Sequence, residues 1–260
     1  MPKLSANVST LFKELPFLDR FAAAAKAGFR AVEYQYPYEF PEAEIAERSR
    51  AAGVQVVLHN MPRGDAQRGE HGTACLPGRE DRFREDLERA IAYARAVGCP
   101  RLHCMAGVRP AGADERALHA TYVENLKYAG RRLDKEGMQV LIEPLSEATV
   151  ANCFLRSSAQ AAQILHEVGA ANVLLQFDLF HMQLMEGNLS ATVERLLPRI
   201  GHIQLADVPG RHEPGTGEIN FPFVLAHIDR VGYAGWVGCE YNPAGDTLEG
   251  LKWAKPHLRS

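Results

Sequence analysis

The sequence has no CxxC pair, and its five cysteines (Cys75, Cys99, Cys104, Cys153 and Cys239) are scattered and odd in number. That speaks against a disulfide framework or a thiolate zinc knuckle and suits reduced thiols in a cytoplasm. No apolar run approaches the ~18–20 residues needed to span a bilayer. Nor does a basic start lead into an apolar core, so neither a membrane span nor a secretory leader is expected. Positive charge is not in excess: 29 Lys+Arg stand against 32 Asp+Glu, a formal net charge of -3. A phosphate-backbone binder needs a basic face, so nucleic acid is not an expected partner. No linker or low-complexity tract divides the chain. Hydrophobic residues make up 46% and charged residues 23%, an ordinary globular balance. These exclusions leave a cytoplasmic enzyme or small-molecule binder as the expectation.

What is present is alternation. Eight short β-branched runs are candidate strands: Lys3–Val8, Ala31–Tyr36, Val54–Asn60, Arg101–Ala106, Gln139–Glu143, Val173–Asp178, His202–Leu205 and Trp236–Glu240. Most are nearly continuously apolar, as strands buried on both faces are. Between them lie segments of helical period. Phe83, Leu87, Ala90, Ile91, Ala94 and Val97 share one helix face, and Leu118, Tyr122, Leu126, Ala129 and Leu133 share another. Pro16, Ser157 or Ser158, and Asn220 can open helices. Gly28, Gly53, Gly98, Gly137, Gly169 and Gly232 each stand just before a strand, where a helix must stop.

Eight βα units in 260 residues is about 32 residues each, the scale of a (β/α)₈ TIM barrel. The rival doubly wound sheet is expected to carry a glycine-rich loop after its first strand, but the chain there reads Ser9-Thr10-Leu11-Phe12-Lys13. The expectation is therefore α/β, a single barrel domain over residues 1–260. The longest irregular stretch, Met61–Glu80, follows the third strand and would overhang the C-terminal mouth, where barrel active sites sit.

Ionisable and amide groups close the later strands. Strand five ends in Glu143, strand six in Asp178, strand eight in Glu240, and strand seven carries Gln204. Any one of these reads first as a strand cap. Four at equivalent positions on successive strands point instead to a divalent cation, since three carboxylates cannot share a dry site uncompensated. Oxygen donors without thiolates suit Mg²⁺ or Mn²⁺. Histidines crowd the same rim: His59, His103, His181 and His202 lie in or just beyond strands. His181 can hydrogen-bond a substrate oxygen or orient a ligand carboxylate. His103 and His202 fit a packed core as well as a site. His119, His166, His227 and His257 fall in helices and are expected on the surface. Arg211, in the loop after strand seven, offers a fork for a substrate carboxylate, with Lys13, Arg63 and Arg68 as weaker candidates. Tyr36, Tyr38 and Phe40 could line the pocket or a partner surface.

The order Glu143, Asp178, Gln204, Glu240 resembles the metal set of the xylose-isomerase-like TIM-barrel superfamily. More narrowly, the whole chain is similar to the hydroxypyruvate isomerase family, which includes the 2-oxo-tetronate isomerases. The segments that carry the likeness are Ser5–Ser9, Ala27–Glu33, Leu76–Glu80, Met105–Gly107, Arg211–Pro214, Gly217–Asn220 and Gly235–Tyr241. The resemblance implies Glu143 and Glu240 as an acid–base pair that also ligates the metal, with Asp178 and Gln204 as ligands only. Superfamily relatives that place histidine at the position of Gln204 differ here. The implied reaction interconverts hydroxypyruvate and tartronate semialdehyde, or the four-carbon 2-oxo-tetronate pair, through an enediolate. The expected partner is a small 2-oxo or 2-hydroxy acid, with His181, Arg211, His59 and His103 as the candidate residues to bind it. The choice between Mg²⁺ and Mn²⁺, and whether the chain is a homo-oligomer, stay open. A sugar or keto-sugar epimerase of the same superfamily is the alternative. An abasic-site endonuclease of this barrel type would need more histidine ligands and a basic face.

Overall fold

The computed structural model describes residues 1–65, 67 and 69–258. Arg68 lies outside the described residues. Eight parallel strands run in sequence order around a closed barrel: β1 (Lys3–Asn7), β2 (Ala31–Tyr34), β3 (Gln55–Asn60), β4 (Arg101–His103), β5 (Gln139–Ile142), β6 (Val173–Asp178), β7 (Ile200–Leu205) and β8 (Trp236–Cys239). Closure is the pairing of β8 on β1, with Leu4 opposite Val237 and Ala6 opposite Cys239. The expected (β/α)₈ barrel is therefore the fold. Among the described residues no helix is long and apolar enough to cross a membrane.

The surrounding helices are α1 (Arg20–Lys26), α2 (Glu42–Ala52), α3 (Glu80–Val97), α4 (Glu115–Asp134), α5 (Ser158–Val168), α6 (Leu179–Met185), α7 (Leu189–Leu196), α8 (Phe221–Arg230), α9 (Thr247–Gly250) and α10 (Lys255–Leu258). The predicted faces are the buried ones. On α3, Phe83, Leu87, Ala90, Ile91 and Ala94 are enclosed, and on α4 so are Leu118, Tyr122, Leu126, Ala129 and Leu133. Each large apolar side chain so buried contributes roughly 1.5–3 kcal/mol, enough to fix which face meets the barrel.

Local signals hold with small shifts. Ser157 caps α5 by accepting from Gln160 N, and Asn220 caps α8 by accepting from Phe223 N. Pro16 opens a short 3₁₀ turn at Phe17–Asp19 rather than α1 itself. Gly53, Gly98 and Gly169 end their helices in the left-handed conformation. Strands end earlier than predicted, so Glu143 and Glu240 stand one residue beyond β5 and β8. There the rim loops take over the backbone bonding, as where Leu145 N donates to Leu155 O. One expectation fails: His227 is buried, not superficial. It lies beside the apolar stripe of α8 (Phe221, Val224, Leu225 and Ile228), stacked with Phe223 and bonded to Arg230.

The segment between β3 and α3 is stitched to the end of β4. Met61 N donates to His103 O, Gly72 N to Arg63 O, and Cys75 N to Ala106 O. Gly72 has φ +97, and a Cβ there would stand 2.2 Å from Met105 O, so only glycine permits this close approach. The loop is thus held over the mouth of the barrel.

Candidate active site

Glu143, Asp178, Gln204 and Glu240 are all buried at the C-terminal end of the barrel. Their placement follows from strand register: Asp178 pairs with Gln204, and Gln204 with Gly238, two residues before Glu240. Asp178 also caps α6, its Oδ1 accepting from Phe180 N at 2.8 Å. One donor atom each from Glu143, Asp178 and His181 falls within 4.8 Å of the others, a group that could hold a metal ion.

Arg211 is the counter-charge. Its guanidinium reaches Glu240 Oε2 at 2.8 Å and Asp178 Oδ2 at 3.5 Å, and lies over the Phe180 ring. Glu240 Oε1 accepts from Asn7 and Gln35, each at 3.0 Å, so three side chains donate to this carboxylate. Burial still pushes Glu240 up to about 7, with Arg211 pulling it down and Asp178 pushing it up. Glu143 has weaker support, from Arg211 and Gln176. Burial, then Asp178 and Glu240, hold its carboxyl well above the usual range. Its Oε1 has no hydrogen-bond partner, and neither does the nearby Gln176 Oε1. Two buried, unpartnered oxygens beside Asp178 are the donor set a hard cation satisfies.

The histidines separate by role. His181 accepts at Nδ1 from the Ser146 backbone N–H, at 3.2 Å. A backbone N–H can only donate, so the ring proton must sit on Nε2, which faces Asp178 Oδ2 at 3.6 Å. Burial and Arg211 hold this histidine far below its usual pKa, in the neutral form. In this tautomer Nε2 is a hydrogen-bond donor, so of Glu143, Asp178 and His181 only the two carboxylates offer lone pairs to a cation. His103 lines the cavity with Nε2 3.6 Å from Glu143 Oε2, and burial drives its pKa to about 3. His59 is not brought to the cavity. It is fully enclosed, stacked on Tyr34 at 5.8 Å and edge-on to Tyr38. Lys13 is exposed and outside the cavity. Tyr36 lines the cavity, whereas Tyr38 packs on Tyr93 and Phe40 on Phe17.

Beneath the rim lies a residue to which the sequence reading gave no role. Glu33, on β2, is completely buried. Its Oε1 accepts from Gln204 Nε2 (2.7 Å) and Asn7 Nδ2 (3.2 Å), and its Oε2 from His202 Nε2 (2.7 Å) and Ser5 Oγ (2.9 Å). Burial alone would raise its pKa, but His202, Gln204 and Ser5 together hold it below the usual value. Glu33 also orients Gln204. With the amide NH₂ drawn to Glu33, the carbonyl oxygen points the other way, where Gln176 Nε2 meets it at 2.6 Å. A second unassigned carboxylate, Asp207, builds the Arg211 loop. It is fully buried and accepts four backbone N–H groups, from Val208, Gly215, Gly217 and Ile219.

These groups enclose a cavity of about 180 Å³, with Glu143, Gln176, His181, Arg211 and Glu240 on its inner wall and Tyr36, Arg63 and His71 on its outer one.

Residues 21–257 match the family model described as xylose isomerase-like TIM barrel. The chain is 46% identical over 258 residues to the 2-oxo-tetronate isomerase of Pectobacterium atrosepticum, covering 99% of this chain and 98% of that one. It is 44% identical over 257 residues to the hydroxypyruvate isomerase of Escherichia coli, covering 99% and 100%. Among solved structures, one described as an AP endonuclease, family 2, from Brucella melitensis superposes with a TM-score of 0.97 at 43% identity, covering 99% of both chains. The chain belongs to the xylose isomerase-like TIM barrel family, in the branch that holds the hydroxypyruvate and 2-oxo-tetronate isomerases.

Proposed function

We propose that the protein is an isomerase that interconverts hydroxypyruvate and tartronate semialdehyde, or the four-carbon 2-oxo-tetronate pair. The observation that carries this reading is a pair of buried carboxylates, Glu143 and Glu240, lining one small cavity close to the buried Asp178 and Gln204. The names of the relatives above support the same reaction class.

In this reading Glu143, Asp178, Gln204 and Glu240 hold a divalent cation, Mg²⁺ or Mn²⁺. When bound, it would stabilise the negative charge that develops on two neighbouring substrate oxygens. The protein does the proton work. One glutamate removes the proton from the carbon that carries the hydroxyl, leaving an enediolate, the other delivers a proton to the adjacent carbon, and the hydroxyl proton passes to the neighbouring oxygen, which becomes the new hydroxyl. His181, with its proton fixed on Nε2 by Ser146, donates to a substrate oxygen. Arg211 ties Glu240 and Asp178 together and so fixes the spacing of the two carboxylates.

The endonuclease name of the Brucella structure fits this chain less well. A net charge of -3 does not attract a DNA backbone.

The test is a coupled isomerase assay on hydroxypyruvate and 2-oxo-tetronate, run after chelation and again with Mn²⁺ or Mg²⁺ restored. Turnover that disappears with chelator and returns with metal is the expected result. Glu143→Gln should lower kcat by roughly 10²–10⁴-fold, and full activity in that variant sinks the assignment. Turnover of uncharged keto-sugars, with none of either acid, points to epimerisation instead.

A further inference from the structure

The inner wall of the cavity is anionic, and its one guanidinium is already engaged. Arg211 is committed to Glu240 and Asp178. An acid bound between Glu143 and Glu240 needs a second cation for its carboxylate, or like charge would expel it. The outer wall holds that cation. Arg63 lines the same cavity, stacked over the Tyr36 ring at 5.2 Å, and meets no carboxylate among the described residues. Tyr36 is shared by both charge groups: burial raises its pKa, Arg63 lowers it, and Glu240 and Glu143 raise it.

Arg63 is also held in place. Its carbonyl accepts from Gly72 N at 2.8 Å, and Gly72 is wedged against Met105 O. Two residues earlier, Met61 N is bonded to His103 O. The chain around Arg63 is thus tied to the end of β4 on both sides. His71 stands close enough that Arg63, after burial, depresses its pKa.

We infer that Arg63, on its Tyr36 platform, receives the carboxylate of the substrate and makes the cavity selective for 2-oxo acids over neutral ketols of the same carbon skeleton. The inference rests on the isomerase reading above and deepens it. The substrate would lie across the cavity with its two reacting carbons toward Glu143 and Glu240 and its carboxylate toward the long loop. It moves the carboxylate contact from Arg211, where the sequence had placed it, to Arg63.

The test compares Arg63→Ala and Arg63→Lys with the unaltered, metal-replete enzyme on two substrates. One is hydroxypyruvate. The other is dihydroxyacetone, the same ketol with a hydroxymethyl in place of the carboxylate. Charge-assisted arginine–carboxylate bonds of this kind are worth roughly 10–100-fold. In Arg63→Ala the ratio of kcat/KM for hydroxypyruvate over dihydroxyacetone should fall by that factor, mainly through the KM for hydroxypyruvate. Arg63→Lys should recover part of it, as a single charge without the fork. A ratio that stays within about twofold overturns the inference. So that this does not depend on turnover, binding of hydroxymalonate, an unreactive dicarboxylate of the same size, is titrated by calorimetry. The Kd should rise about 10–100-fold in Arg63→Ala. If the wild type isomerises neither acid, the proposed function fails, and the titration still decides on Arg63. An unchanged Kd, or no binding even to the wild type, overturns the anion site.

Discussion

Replacing Glu33 probes the hydrogen-bonded layer under the site more sharply than any rim substitution. Four donors converge on this one buried carboxylate, from Ser5, Asn7, His202 and Gln204. In Glu33→Ala all four lose their acceptor inside the barrel. Breaking a buried, paired charge costs about 3–5 kcal/mol. Glu33→Gln keeps the shape but turns one oxygen into a donor. On the Oε1 side that donor would face two amide NH₂ groups, which can only donate. On the Oε2 side it would face Ser5, whose hydroxyl can reverse, and His202, whose ring can shift its proton to the unpartnered Nδ1. The amide therefore turns its NH₂ toward Ser5 and His202 and keeps its oxygen for Gln204 and Asn7. The cost is the difference between charged and neutral hydrogen bonds, in total about 2 kcal/mol. For a chain of this size each kcal/mol moves Tm by about 2–4 °C. Urea unfolding followed by circular dichroism should thus rank wild type above Glu33→Gln and Glu33→Gln above Glu33→Ala. Mn²⁺ affinity should follow the same order, since Gln204 is oriented by Glu33. If Glu33→Ala unfolds within 1 kcal/mol of wild type, or if the two variants are equal, the reasoning about the four donors is wrong.

Further outcomes follow from neighbouring geometry. Gly238→Ala places a Cβ 2.3 Å from both Glu33 carboxylate oxygens, so it should destabilise by about 2–3 kcal/mol, and a wild-type Tm would show that Glu33 is free to move. Asp207→Ala strips the acceptor from four backbone N–H groups of the Arg211 loop. Trypsin cleavage after Arg211 should accelerate at least tenfold, at a stability cost of about 3 kcal/mol, and equal cleavage rates would refute the strut role. His59 bears on pH. Burial lowers its pKa from 6.5 to about 4, so the unfolded chain takes up the proton first. Its contribution to stability is complete above about pH 6.5 and is lost as the pH falls toward 4, by about 2 kcal/mol at pH 5. His59→Phe, which keeps the stack on Tyr34, should flatten that acid slope, and an unchanged slope between pH 7.5 and 5 would exclude His59 as its source.

The barrel and its rim were legible because their signals are local. An apolar run that stops at a carboxylate, as Val140-Leu141-Ile142-Glu143 does, announces both a buried strand and a polar terminus. Glu33 carried a signal that went unused. It stands inside the apolar run Ala31-Val32-Glu33-Tyr34, in a strand with no exposed position, where a charge is tolerated only if it is paired. Its partners could not be named, because His202 is 169 positions away and only barrel closure brings the two together. Arg211 lies beside Glu240 and Asp178, and its commitment to two acids depends on a left-handed backbone (φ +54) and on Asp207. Neither can be read from residue types in a row.

The two layers also explain which positions could vary without harm to the chemistry. On the later strands, residues two apart point into the barrel together: Gln176 with Asp178, His202 with Gln204, Gly238 with Glu240. Gln176 and Glu240 line the cavity, while His202 bonds Glu33 from below and Gly238 leaves room for it. Gly238 is the clearest case, because the space a side chain would fill is occupied by the Glu33 carboxylate. The carboxylate beneath Gln204 is fully bonded and serves as an acceptor, while the rim glutamate of β5 keeps a bare oxygen. A substitution that left Glu33 short of donors should disturb the rim even though it touches no group that meets the substrate.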